Sequence, residues 1–278
     1  MLLRTTAKLG FLLGFTAVGY GGWLAALFFL FLGWRGVGLA LGVVAGLLAY
    51  YWMVAPRAFL KAAEARPVPE GPLRSMVRDL ARKSGLPMPA LYLSPWKEPN
   101  AFAVGTGRRA AVVVTRGLLE SLDQREGEAV LAHELGHLYY RDLEWKQLEM
   151  ALIRAGDWGA RGFRALALGL SRLAEVMSCW SSLFLLPTFM FRLGAYLVHL
   201  LYRVTVGMVD WAVMAASRER EFRADAWAKE LGCAPGLAAA LLRMDQEAML
   251  PRRPPWVMRL YASHPATRER VRMLLSEN

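Results

Sequence analysis

The sequence predicts an α+β chain, mostly α-helical, in which membrane-embedded helices accompany a small antiparallel or mixed sheet and a helix built on His133-Glu134-Leu135-Gly136-His137. Three observations predict this class. The hydrophobic share of 55% and the positive mean hydropathy exceed what a soluble domain usually carries. Two long uncharged apolar runs stand near the N-terminus, and short β-forming stretches precede the histidine pair.

The charge and cysteine content narrow the possibilities. Net charge is +11, yet Arg and Lys are scattered or flank apolar runs and form no single basic face. Anionic membrane lipids are therefore the expected partner, and nucleic acid is not. Cys179 and Cys233 are too few and too far apart for a disulfide scaffold or a Cys-rich zinc site, and they suit a reducing compartment.

After Arg4 and Lys8, Leu9 to Trp34 carries no charge, and Gly36 to Ala55 follows the lone Arg35. As helices, both runs can span roughly 30 Å of hydrocarbon. Trp34, Tyr50, Tyr51 and Trp52 lie near the run ends, where amphipathic rings favour the interface. A cleavable signal peptide is the alternative for the first run, which is long for one and is followed directly by a second span. Arg4 and Lys8 before the pair, and Arg57, Lys61 and Arg66 after it, outnumber Arg35 between the spans, so both ends are expected in the cytoplasm. Residues 1–60 thus read as a transmembrane helix pair.

Pro67, Pro69, Gly71 and Pro72 form a linker, and Leu73, Met76, Val77 and Leu80 then repeat with helical spacing until Gly85, Pro87 and Pro89. Leu91 to Leu93 and Ala110 to Thr115 read as strands, with Asn100 to Ala103 and a turn at Gly105 to Arg109 between them. That turn lacks the glycine pattern of a nucleotide-binding loop. Asp123 and Glu126 form a capping box, which starts a helix near Gln124 that carries the histidines to about Tyr140. Residues 61–142 are the expected first part of a catalytic domain.

From Leu143 to Glu175, a polar stripe of Arg154, Asp157, Arg161, Arg164, Arg172 and Glu175 marks an otherwise apolar helix, expected at the headgroup level. Val176 to Phe191, interrupted by Pro187, and Leu193 to Ala216, which contains Arg203 and Asp210, are weaker spans. Residues 143–216 therefore read as amphipathic and membrane-inserted, and 217–278 as the second part of the catalytic domain. His199 has no Asp, Glu or Cys at ligand spacing and reads as a packed or interfacial histidine.

The chemistry rests on spacing. At about 100° and 1.5 Å per residue, His133 and His137 lie roughly 40° and 6 Å apart, so both imidazoles reach one metal ion. Glu134 is rotated off that axis. It suits a base acting on a water bound to the metal, as in zinc peptidases with H-E-x-x-H on a helix. Downstream, Arg218, Glu221 and Asp225 share one helix face. Alone this is a solvated, ion-paired face; paired with the upstream motif, Glu221 completes a His-His-Glu set that leaves one open position, for one Zn²⁺ per chain. Asp225 can then orient a ligand imidazole, and Asp142 can do the same or be a polar residue at a helix end. Asn100 either holds a substrate backbone or caps the turn before its strand. Ala111, Val112 and Val113 are expected on an exposed edge strand that pairs with the backbone of a protein or peptide substrate. Because Glu221 and His133 must lie on the same side of the membrane, the intervening segment crosses an even number of times, and its apolar length favours two.

The ensemble resembles the HtpX-like membrane metalloproteases. The likeness is carried by Gly85-Leu86-Pro87 with Pro89, Pro99-Asn100-Ala101-Phe102-Ala103, Thr115 with Gly117-Leu118-Leu119, and Ala132-His133-Glu134-Leu135-Gly136-His137. It continues through Arg141-Asp142, Ser217-Arg218 with Glu221, Ala224-Asp225, and Ser263-His264-Pro265 with Arg268, Arg270 and Leu274. The resemblance implies a multi-pass zinc endopeptidase of the cell inner membrane, with a cytosol-facing site that clears damaged or misassembled membrane proteins. It also implies His264 as a donor to developing negative charge, with Arg218 as a second cation or as partner to Glu221 or Asp225. Two other classes stand beside it. A CAAX-type prenyl protein protease is disfavoured by the small number of visible spans, and a non-catalytic membrane adaptor with structural zinc by the intact Glu134.

Overall fold

The computed structural model describes residues 14, 18–19, 22–248 and 267–276. In chain order the first elements are α1 (Gly22–Leu32), α2 (Trp34–Met53), α3 (Ala55–Ala62), β1 (Arg66–Pro67), α4 (Pro72–Lys83), β2 (Ala90–Ser94) and β3 (Ala101–Val104). Then follow β4 (Ala111–Thr115), α5 (Arg116–Ser121), α6 (Gln124–Tyr139), α7 (Asp142–Ser178), α8 (Leu185–Glu230), α9 (Ala234–Ala248) and α10 (Thr267–Leu275). The chain divides into two compact units, Met1–Tyr51 with Gln147–Ala216, and Trp52–Lys146 with Ser217–Asn278.

The first unit is helical. Of the predicted first span, α1 falls within the described residues, and most of Leu9 to Gly21 lies outside them. The chain reverses at Gly33, whose φ of 55° glycine adopts without strain. A Cβ on Gly36 would meet the carbonyl oxygen of Phe28 at 2.0 Å, so the tight reversal needs a second glycine. Within this unit α7 and α8 pair antiparallel: Leu152 packs on Val209, Tyr202 donates to Asp157, and Arg192 Nη2 lies 2.6 Å from Glu175 Oε2. The polar stripe of α7 thus spends part of its charge on α8. Pro187 does not interrupt a helix as expected. It stands in the first turn of α8, where its missing N–H removes no helical bond, and the reversal occurs at residues 179–184. The helix then continues unbroken for 46 residues, roughly 69 Å at the α-helical rise.

Leu24, Ala40 and Ala155 form one small core here and Leu152 and Val209 another, while Leu41, Leu173, Phe189, Tyr196 and Leu201 are exposed. Apolar exposure on this scale marks a surface that suits something other than water. Among the described residues two stretches are long and apolar enough to cross a membrane, Trp34–Met53 and Ser182–Glu230. Only 11% and 12% of their most apolar windows are buried, whereas a soluble core helix would be mostly buried.

The second unit contains a mixed sheet of order β1-β2-β4-β3, with β2 and β4 parallel and the outer pairs antiparallel. Successive side chains of β4 point to opposite faces. Val112 and Val114 join the larger core with Val77, Leu80, Leu131 and Leu135, while Ala111 and Val113 pack with Phe59, Phe102 and Val104 on the other side. This corrects the edge-strand expectation for Ala111, Val112 and Val113. They lie in a central strand paired on both sides, and no substrate backbone can reach them. The uninterrupted β-branched run is the signature of a strand buried on both faces. The edge beyond β4 is β3.

Candidate active site

The capping box fixes where α6 begins: Glu126 N donates to Asp123 Oδ1 at 2.8 Å, and Asp123 N donates to Glu126 Oε2 at 2.9 Å. From that start the helical period places His133 and His137 on one face. Gly136, between them, lets α8 approach closely, because a Cβ there would lie 3.1 Å from Ala224 Cα and 3.2 Å from Trp227 Cδ1. Tyr139 stacks on Trp227 with ring centroids 3.9 Å apart, clamping the two helices one turn further on. The close crossing brings Glu221 of α8 to the histidines.

His133 Nε2 lies 3.4 Å from Glu221 Oε2, and His137 Nε2 lies 3.5 Å from Glu221 Oε1. One ligand atom from each of the three residues lies within 4.8 Å of the others, and His133 and Glu221 are buried. Donors at about 2.0–2.1 Å from a tetrahedral ion sit roughly 3.3–3.4 Å from one another, so the set fits a four-coordinate metal with one position left over. The fourth position matters for chemistry, since a closed site would be structural.

Each imidazole is fixed from behind. His133 Nδ1 lies 2.9 Å from Asp225 Oδ1, and His137 Nδ1 lies 2.9 Å from Asp142 Oδ2. With Nδ1 donating to a carboxylate, Nε2 is the nitrogen left for a metal. Asp142 is bound by Arg223, which also lies 4.6 Å over the Tyr140 ring. Asp225 is bound by Arg270. Burial by itself would lower the pKa of His137, but the hydrogen bonds its ring donates to Asp142 and Glu221 outweigh it and push the value up to about 10 in the metal-free protein. His133 is raised in the same way, burial being overcome by Asp225 and Glu221. For Asp225, burial opposes ionisation and the Arg270 and His133 hydrogen bonds prevail, so its pKa is lowered.

Glu134 lines the same cavity as His137 and Glu221, and its Oε2 accepts the backbone N–H of Ala103 in β3 at 2.8 Å. The edge strand therefore holds the carboxylate that the motif offers as a base. Ala101, Phe102 and Ala103 line a cavity of about 40 Å³ with Glu134, His137 and Glu221. That volume holds a few waters and no peptide. Asn100 acts through its main chain: its N–H donates to Thr115 Oγ1 at 2.8 Å, and its carbonyl accepts from Thr115 N at 2.9 Å, which sets the register of β3 on β4.

Arg218 is exposed, and among the described residues the cation that meets both Glu221 and Asp225 is Arg270 instead. The reason is helical phase and packing, because α10 delivers its arginine to the buried side of α8. His264 lies outside the described residues. His199 belongs to no candidate metal group among the described residues. Sequence reasoning assigned no role to Arg223 or Ala103, and it named Arg270 only within a motif. No local spacing points from these residues to their carboxylates; a buried acid's need for a cation is the only signal, and it does not say which cation.

The model of peptidase family M48 matches residues 67–278, which contain all the site residues described above. A protease HtpX homolog of Aquifex aeolicus is 35% identical over 289 aligned positions, covering 93% of this chain and 90% of the relative. One from Pelotomaculum thermopropionicum is 31% identical and covers 99% and 96%. Among solved structures, S. mikatae Ste24p shares the fold at a TM-score of 0.60 with 20% identity, over 94% of this chain and 64% of that one. The chain therefore belongs to peptidase family M48, as a membrane metalloprotease acting on protein or peptide substrates.

Proposed function

We propose that the metal is zinc and that the enzyme hydrolyses peptide bonds of damaged or misassembled membrane proteins at the cytosolic face of the inner membrane. The observation that carries this reading is the shared set itself: two Nε2 atoms turned to one glutamate carboxylate, each imidazole locked through Nδ1 by an aspartate. Zinc bound there supplies Lewis-acid chemistry, polarising a carbonyl and acidifying water. His133, His137 and Glu221 hold the ion, and Asp225 and Asp142 hold the imidazoles. Glu134 takes a proton from water and returns it to the leaving amine, while the Ala103 N–H keeps its carboxylate aimed. A substrate backbone pairs along the outer edge of β3 through main-chain groups other than the Ala103 N–H, which Glu134 accepts, and because β3 is buried the cavity wall opposite must move to admit it. His264 is the donor to negative charge developing on the substrate.

Metal removal tests this reading. Detergent-purified protein treated with a chelator should lose casein digestion and regain it with zinc. Because His137 holds a proton up to about pH 10 when metal-free, reloading must expel that proton and should be weaker at pH 6 than at pH 8. Digestion that survives complete metal removal would defeat the proposal.

The same reading has both termini in the cytoplasm, with the apolar run Leu9 to Trp34 and α2 crossing once each and the α7–α8 hairpin returning to the side it left. In a Cys179→Ser, Cys233→Ser background, Arg35→Cys in the first turn of α2 should be labelled by a membrane-impermeant thiol reagent only from the far side. Labelling only from the cytosol would overturn the topology.

A further inference from the structure

We propose that Arg270 is the positioning residue of the metal centre, holding the imidazole of His133 through Asp225 and the third donor Glu221 directly. The inference rests on the metal reading above. Arg270 is 2% exposed. Its Nε and Nη2 donate to Asp225 Oδ2 and Oδ1 at 2.7 and 2.6 Å, the bidentate fork that fixes a carboxylate in its plane. Asp225 Oδ1 also meets His133 Nδ1, so the plane of the guanidinium sets the orientation of the ring. The remaining nitrogen, Nη1, lies 3.3 Å from Glu221 Oε2, the oxygen nearest His133 Nε2. One side chain thus touches the third donor and the residue behind the first.

The counterpart at His137 shows what is particular to Arg270. Asp142 is held there by Arg223, giving the same imidazole–aspartate–arginine order. Arg270 adds the direct contact with a metal-binding carboxylate. It also arrives from a different part of the chain. Helix α10 is anchored by Leu274 in the larger core and by Lys229 Nζ donating to the Ser276 carbonyl at 2.7 Å, so docking of this helix delivers the guanidinium. Metal-site geometry and attachment of the last described helix are thereby one event. A lysine cannot reproduce this, because an ammonium is a point charge and lacks the planar fork.

The rival role is a buried ion pair that only ties α10 to α8. Metal affinity separates the two, measured on the detergent-purified full chain by zinc competition with a chromophoric chelator, together with the visible absorption of the Co²⁺-substituted protein. Arg270→Gln and Arg270→Lys should each bind zinc roughly 10- to 100-fold more weakly than wild type, the usual cost of losing a group behind a ligand. Their Co²⁺ bands should shift, and Lys should restore less than half of the loss on a logarithmic scale. Folded variants with wild-type zinc affinity and an unchanged Co²⁺ spectrum would overturn the proposal. Variants that stay unfolded with zinc present would also overturn it, since Arg270 would then be a folding residue. Wild type that binds no metal would instead remove the zinc reading, which the wild-type arm shows by itself.

Discussion

Glu134→Gln keeps its metal and loses peptide hydrolysis by roughly 10²- to 10⁴-fold, the range that a positioned acid–base group supplies. The substitution changes little else. The amide has nearly the volume of the carboxylate, and its carbonyl oxygen can still accept the Ala103 N–H that Glu134 Oε2 accepts at 2.8 Å. The ligand set of His133, His137 and Glu221 is untouched, and so are Asp142 and Asp225 behind it. What disappears is the capacity to hold a proton between water and the leaving amine. The measurement is turnover of casein or a quenched fluorescent peptide alongside metal content of the same sample. A variant that cleaves as fast as wild type would remove Glu134 as the base, and one that loses its metal would make it a ligand-set residue.

Glu221→Ala loses metal and activity together. Glu221 is 6% exposed and supplies one oxygen within 3.5 Å of each histidine nitrogen, so truncation leaves two imidazoles and an opening where the third donor stood. Two histidines do not hold zinc in competition with water as three donors do. The deletion also strips Arg270 of the carboxylate at 3.3 Å, though its fork to Asp225 remains. Metal content of purified protein is expected to fall below one tenth of the wild-type level, a rough figure that follows from losing one of three protein ligands, with hydrolysis undetectable. Retention of both would exclude Glu221 from the centre. The pair of variants is informative because they dissociate: Glu134→Gln separates activity from metal, and Glu221→Ala does not.

The sequence by itself determined what short-range rules decide. The capping residues Asp123 and Glu126 set the start of α6, and a four-residue spacing then fixes His133 and His137 on one face with Glu134 off it. Asp142 and Asp225 could be named as partners of the imidazoles because they follow a ligand by five and four residues along the chain, within reach of one helical turn or its end. The uncharged runs near α1 and α2 and the long apolar stretch before Ser217 mark candidate spans by length and composition alone.

Only the tertiary structure decided the rest. Strand order places β4 inside the sheet and leaves β3 at the edge, because the run Ala111 to Val114 is buried on both faces by two separate cores, which a period-2 reading of one strand cannot count. Pro187 starts a helix instead of breaking one because the reversal at residues 179–184 precedes it. The choice of Arg270 and Arg223 over Arg218 as cations for the buried carboxylates depends on which side of α8 is covered and on where α10 docks. Spacing along a helix is dictated by the backbone and can be read locally. Which arginine meets a buried acid is set by the packing of segments far apart in the chain, where the cost of leaving a buried charge unpaired selects the partner after the helices have come together.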